Sequence, residues 1–152
     1  MQHADVAIIG GGPGGSSTAA FLADRGFSVA LFERETFPRF HVGESLMPAT
    51  MLLLEQLGVR DEIDAHGFQL KYGAAFIDEE NGATQTFYFL PGQAWPNYSY
   101  QVPRAEFDQI LLDHAALEQH RAVAEALDER HVVRHEQDRL ALLLQRPEFL
   151  EA

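Results

Sequence analysis

The sequence has no cysteine among its 152 residues. That removes disulfide frameworks, thiolate metal sites and cysteine nucleophiles, and it agrees with a cytoplasmic protein. Positive charge is also scarce: 11 Lys and Arg stand against 23 Asp and Glu, a formal net charge of -12. Such a chain repels nucleic acid phosphates and anionic lipid headgroups, so neither is an expected partner. No apolar run approaches the roughly 20 residues that span a bilayer. The N-terminus lacks the basic region of a signal peptide. Glycine is missing from the last sixty positions, since all 12 glycines lie between Gly10 and Gly92. Aromatic residues thin out too: beyond Phe107 only Phe149 remains. Residues 105–152 therefore read as helix after helix, and the earlier part as strands, turns and loops.

What is present describes a globular chain. Hydrophobic residues make up 46% of it, mean hydropathy is -0.17, and the length suits a single domain with a real core. "DVAIIG" (5–10) is a short β-branched run, as in a strand buried on both faces. "GGPGG" turns the chain, "SSTAAFLADRG" (16–26) reads as a helix stopped by Gly26, and "SVALFE" (28–33) reads as a second strand. Strand, crossover helix and parallel strand make a βαβ unit. Next, "MPATMLLLEQLG" predicts a helix with Pro48 at its start, Gly58 past its end, and Met51, Leu54 and Leu57 facing a core. "KYGAAFID" and "TQTFYFL" predict two strands joined through "EENGA", whose Asn-Gly favours a tight hairpin. "PRAEFDQILLDHA" predicts a helix opened by Pro103, with Phe107, Ile110, Leu111 and Ala115 as its buried stripe.

Gly10, Gly12 and Gly15 match G-x-G-x-x-G. The first glycine permits the tight turn, the second lets a pyrophosphate approach the backbone, and the third lets helix and strand pack closely. The helix start then offers free N–H groups and positive dipole. Glu33 follows 18 residues after Gly15, at the end of the second strand. A carboxylate there accepts ribose hydroxyls and repels a 2′-phosphate, which favours FAD or NAD over NADP. The competing reading is a ligand-free glycine turn and a solvated glutamate.

A wider match surrounds these residues. "GGGPGGSSTAAFLADRGFSVALFERETFPRFHVGESLMPA" resembles the N-terminus of flavin-dependent halogenases and related FAD monooxygenases, the p-hydroxybenzoate-hydroxylase-like group. "FPRFHVGESL.P" is its most specific string. "GFQLKYGAAF" (67–76) resembles the family's lysine segment, and "YQVPRAEFDQILLDHA" (100–115) its arginine-containing FAD helix. The resemblance implies an α/β fold: a Rossmann-like FAD-binding unit over residues 1–116, with a small β-hairpin insertion at about 70–90. A helical tail over 117–152 would complete the chain.

The resemblance also implies a chemistry. Reduced flavin from a separate reductase and dioxygen would oxidise halide, or hydroxylate the substrate directly. A lysine amine, here Lys71, would hold the electrophilic halogen for a small electron-rich aromatic of phenol or pyrrole type, free or carrier-bound. The bland alternative for Lys71 is a strand-edge lysine with its head in water. The cofactor-binding residues would be Gly10, Gly12, Pro13, Gly14, Gly15, Glu33, Arg34, Arg39, Gly43, Glu44, Ser45 and Arg104. His41 is either a proton carrier or an ordinary solvent-facing histidine.

The resemblance also has gaps. The family's W-x-W-x-I-P motif, its later Gly-Asp flavin motif and the acidic residue opposite the lysine have no counterpart in the sequence. A truncated or internally deleted FAD domain is expected, and a catalytically inactive nucleotide-binding remnant or interaction module is the alternative to an enzyme. His131 and His135 are four apart but lack a third ligand, so no metal site is expected. Leu140, Leu143 and Leu144 form a short apolar stripe that Pro147 ends.

Overall fold

The structure is a computed structural model that describes residues 4–90 and 95–129, with 122–129 as backbone. It forms two compact units. One takes the chain up to Phe40 and resumes at Ala105, and the other is His41–Arg104.

In the first unit, β1 (Val6–Ile9) pairs in parallel with β2 (Val29–Phe32), from Val6 opposite Val29 to Ile9 opposite Phe32. Helix α1 (Pro13–Ala23) makes the crossover. It begins three residues earlier than the sequence suggests, because Pro13 already has the φ of a first helical residue. Asp5 and Ser28 tie the strand starts together: the Asp5 carboxylate accepts the Ser28 N–H and hydroxyl, both at 2.9 Å. Ser16, Ala19, Ala20 and Ala23 form the buried side of α1. The expectation that β1 is buried on both faces fails. Burial alternates along the strand and Ile9 is 93% exposed, since β2 is its one partner strand among the described residues. Helix α4 (Arg104–Glu129) buries Phe107, Ile110, Leu111, Leu112 and Ala115. Pro103 lies just before it rather than inside it. The predicted helical tail beyond Glu129, with His131, His135 and the leucine stripe, falls outside the described residues.

The second unit packs two helices beside two small sheets. Helix α2 (Pro48–Leu57) has Pro48 in its first turn, and Gly58 ends it at φ +77°, with Met51, Leu54 and Leu57 buried. Helix α3 (Arg60–His66) was not apparent in the sequence. It is a seven-residue segment between two glycines, Gly58 and Gly67, both left-handed, and it buries Ile63 completely. Full burial of residues such as Met51, Leu54 and Ile63 contributes about 1.5–3 kcal/mol each.

The predicted strand over 71–78 splits in two. β3 (Gln69–Lys71) pairs antiparallel with β6 (Ser99–Gln101), a strand that the sequence did not suggest, while β4 (Gly73–Ile77) pairs with β5 (Thr84–Tyr88). The β4–β5 connection is wider than a two-residue hairpin. Asp78 N–H donates to Ala83 O at 2.8 Å, and the Asp78 carboxylate accepts the Glu80 N–H and the Asn81 side-chain amide. Two acceptor contacts on the Asp78 side chain, with its backbone N–H bonded across to Ala83, stabilise the longer loop over the tight turn that Asn-Gly alone would favour.

Candidate functional site

The glycine turn is built by steric necessity. A Cβ on Gly15 would lie 1.8 Å from Gly10 O, and Gly10 itself has φ +104°. Gly12 caps α1 without any side-chain hydrogen bond, and no acidic residue occupies the first turn. The turn therefore presents helix N–H groups and partial positive charge with nothing anionic of its own in front of them. Pro13 is the first helical residue, and Gly14 has open space where a side chain would stand. Ser16, fully buried, donates from Oγ to Gly11 O at 2.8 Å and fixes the turn from behind.

Glu33 reaches this turn. Its Oε2 accepts the Gly11 N–H at 2.7 Å and its Oε1 accepts the Glu35 N–H at 2.9 Å. Partial burial pushes the carboxyl up, but these backbone bonds and the Arg39 charge outweigh it, so its pKa lies below the ordinary 4.5. Gly11 makes the approach possible, since a Cβ there would sit 3.2 Å from Glu33 Cβ. Gly11 was not among the expected site residues, because the fingerprint gives that position no role.

Arg39 closes the other side. Its guanidinium lies over the Phe37 ring at 4.6 Å, and Nη2 would be 3.4 Å from a Cβ on Gly12. Nε is 3.1 Å from Glu35 Oε2 and Nη1 is 3.4 Å from Asp108 Oδ2. Asp108 is fully buried. It too was missed, although its spacing from Leu111 and Leu112 places it on the buried side of α4. Arg34 is 89% exposed and pairs with Glu35 at 3.7 Å.

The second unit gathers the rest. Residues 42–46 run beside β6: Ser45 bridges to Gln101, Val102 N–H donates to Glu44 O at 2.8 Å, and Leu46 N–H to Tyr100 O at 3.0 Å. Arg104 Nη1 donates to Val42 O at 2.6 Å and lies 3.1 Å from where a Gly43 Cβ would be; Gly43 has φ +95°. Glu44 and His41 are exposed, and His41 Nδ1 is 3.1 Å from Val42 O.

Lys71, at the end of β3, points its head into this loop. Nζ donates to Ser45 Oγ at 2.6 Å and to Leu46 O at 3.1 Å, and it stands 5.1 Å from the centre of the Phe89 ring. Lys71 is the sole lysine of the sequence, the other ten basic residues being arginines. Among the described residues no carboxylate pairs with it, and no group of three His, Asp or Glu is arranged to hold a metal. No described helix is long and apolar enough to cross a membrane.

Behind the loop, Arg60 Nε donates to Asp64 Oδ1 at 2.8 Å and Tyr100 OH donates to the same oxygen at 2.7 Å, while Arg60 Nη2 donates to Tyr98 OH. Burial, then the Asp64 bond and charge, push the Tyr100 hydroxyl up to about 12. This network anchors α3 to β6, and so supports the strand against which residues 44–46 are hydrogen-bonded.

A glycine turn of this geometry followed by a carboxylate just past the second strand has a counterpart in known proteins. The family model described as FAD binding domain matches residues 3–146. The chain belongs to the FAD binding domain family. FAD is the family's cofactor, and the uncapped turn, with Glu33 keeping spare acceptor capacity, fits its pyrophosphate and ribose. The chain is 44% identical over 114 residues to the flavin-dependent halogenase gsfI of Penicillium aethiopicum, covering 75% of this chain and 21% of that protein. It is 38% identical over 128 residues to the 1H-pyrrole-2-carbonyl-[peptidyl-carrier protein] chlorinase of Pseudomonas fluorescens, covering 73% and 28%. The solved structure of the myxobacterial chondrochloren halogenase CndH aligns with a TM-score of 0.69 at 44% identity, over 76% of this chain and 27% of that one. The chain thus spans between a fifth and a third of the relatives it matches.

Proposed function

We propose that the chain is the N-terminal part of an FAD fold that serves a flavin-dependent halogenase or monooxygenase acting on an electron-rich aromatic of phenol or pyrrole type. In this reading residues 1–116 are the FAD-binding portion, incomplete as a domain, and residues 117–152 are a helical tail. The observation that carries the proposal is Lys71, the sole lysine, set on Ser45 and Leu46 of the loop most specific to the halogenases.

Gly10, Gly12, Pro13, Gly14 and Gly15 would hold the pyrophosphate on the start of α1, with Glu33 on the ribose and Arg39 supplying positive charge. Gly43, Glu44, Ser45 and Arg104 would face the flavin, and Arg34 would remain at the surface near the nucleotide. FAD, reduced by a separate reductase, would supply the electrons that activate dioxygen for oxidation of halide to hypohalous acid.

Lys71 does the part that belongs to the chain. A neutral amine has two N–H groups and one lone pair. Ser45 Oγ and Leu46 O accept both N–H groups, which leaves the lone pair for an electrophile. Attack on hypohalous acid forms an N–halogen bond and releases water. Transfer of the halogen to the ring, with loss of the ring proton, restores the amine. Arginine is no substitute, since its guanidinium has no free lone pair at neutral pH.

The test has two stages. Purified protein mixed with FAD is freed of excess cofactor and its visible spectrum recorded; a bound-flavin spectrum is expected, and a protein that stays colourless sinks the proposal. The protein is then given reduced FAD, dioxygen, halide and a phenol, beside Lys71→Arg. Halogenated product from the native protein alone is expected, and equal product from both removes Lys71 from the chemistry.

A further inference from the structure

Ser99 is fully buried, and its Oγ has no hydrogen-bond partner among the described residues. It was not a candidate from sequence. A buried hydroxyl is nearly always bonded, so one without a partner calls for a group that can reach it. The strand register supplies one. Ser99 lies directly opposite Lys71 in the β3–β6 ladder, and residues paired in this way carry their side chains on the same face.

That face extends across the second unit's small sheet. β3 runs along one edge of β6 and residues 44–46 along the other, with Ser45 opposite Gln101 and Leu46 N–H on Tyr100 O. Alternation along β6 puts Ser99 and Gln101 on the side of Lys71 and Ser45, and Tyr100 on the other side. Lys71 Nζ reaches Ser45 Oγ and Leu46 O, beyond β6. Neighbouring strands are about 4.8 Å apart, so the lysine side chain must span β6 to get there. It crosses on the face that Ser99 occupies, and the short serine side chain leaves room for the crossing.

The lysine head has bonding capacity to spare. An ammonium carries three N–H groups, and Ser45 and Leu46 accept from it in the loop. Its stem is four methylenes long, so a change in the last torsions draws the head back over β6. There Ser99 Oγ accepts an N–H and no longer stands unbonded in a buried place. One head thus has two resting places, Ser45 with Leu46 on one side and Ser99 on the other.

We propose that Ser99 is a positioning residue for Lys71, the acceptor that takes the lysine head when it leaves Ser45. The head then stays over β6 instead of swinging into solvent. This role goes beyond halogen transfer, since it concerns where the amine rests and not what it carries.

Lys71 is the sole lysine, so acylation of its peptide by an amine-reactive ester reports how often the head is free. Four full-length chains are compared at fixed pH: the native one, Ser45→Ala, Ser99→Ala and the double variant. Two resting places compete for one head, so their losses do not act independently. With Ser45 in place, Ser99→Ala is expected to change the rate by less than about 1.5-fold. In the Ser45→Ala chain the same substitution is expected to raise it about threefold. Ser99→Thr keeps the hydroxyl, and in the Ser45→Ala chain it is expected to leave the rate within about 1.5-fold. Circular dichroism shows that each chain is folded. An equal factor for Ser99→Ala in both backgrounds, no rise in either, or the same rise from Ser99→Thr would each overturn the proposal. A hydroxyl that serves only a buried water gives the second of these results. The cycle uses neither flavin nor halide, so it can fail while the halogenation assay above succeeds, and the reverse.

Discussion

Lys71 Nζ donates to Ser45 Oγ at 2.6 Å, across 26 residues of sequence. The contact joins the loop after β2 to the strand that carries the lysine. A hydrogen bond of this kind contributes about 0.5–1.5 kcal/mol, enough to bias where the lysine head rests.

Ser45→Ala tests that bond directly. The substitution removes one acceptor and leaves Leu46 O in place. The lysine head should spend more time away from the loop, and acylation of Lys71 by an amine-reactive ester should rise about threefold to tenfold. Mass spectrometry of the Lys71 peptide at fixed pH measures this, with circular dichroism to show that the fold persists. An unchanged rate would mean that the contact does not constrain the lysine.

Two neighbouring glycines should respond in opposite directions. Gly15→Ala forces a Cβ to within 1.8 Å of Gly10 O, a backbone atom that cannot move aside cheaply. Overpacking of this kind costs about 1–3 kcal/mol or more, and FAD affinity should fall with it because the turn must open. Gly14 is exposed, helical and free of neighbours within 4 Å. Gly14→Ala should therefore stabilise by about 0.5–1 kcal/mol through helix propensity. Urea unfolding midpoints of the two variants against the native chain decide it.

These glycines also show how much the sequence revealed. The turn of Gly10, Gly12 and Gly15 was legible because a tight strand-to-helix backbone leaves a strict spacing, and Glu33 because it ends the second strand. Gly58 and the Met51, Leu54 and Leu57 stripe were legible through helical periodicity. Helix α3 was not, because seven residues give barely two turns of pattern and its single buried residue, Ile63, makes no stripe. β6 was missed because three residues, Ser99–Gln101, become a strand only through pairing with Gln69–Lys71. The split at Tyr72 and the Asp78 loop arise from tertiary hydrogen bonds that local sequence does not encode. The contact between Lys71 and Ser45 belongs to the same class: each residue was a candidate, but their meeting depends on β3, β6 and the loop lying side by side.

The Tyr100 hydroxyl offers a spectroscopic check on that support. Burial and the bond to Asp64 hold its pKa up at about 12, against 10.0 for an ordinary tyrosine. Its contribution to stability is present in full below pH 10.0 and is lost as pH rises through about 12. Tyr100→Phe keeps the ring and removes the bond, at a cost of about 1 kcal/mol since Arg60 still serves Asp64. In an ultraviolet titration the late tyrosinate step should vanish from the variant, while a step that persists would assign it to another of the four tyrosines.

Glu33 gives the corresponding prediction at acid pH. Its carboxyl is held below the ordinary 4.5 because the Glu35 and Gly11 N–H groups and the Arg39 charge favour the ionised form more than partial burial opposes it. A depressed pKa contributes stability above the unfolded value and loses it as pH falls through the folded one. Glu33→Gln should therefore be less stable than the native chain at neutral pH, and the difference should shrink once pH drops below 4.5. The partial exposure of the carboxylate makes the gap salt-dependent as well. Urea midpoints at neutral and acid pH, at low and high salt, measure both effects. A gap that stays constant from neutral to acid pH would show that Glu33 acts by packing against Gly11 rather than through its charge.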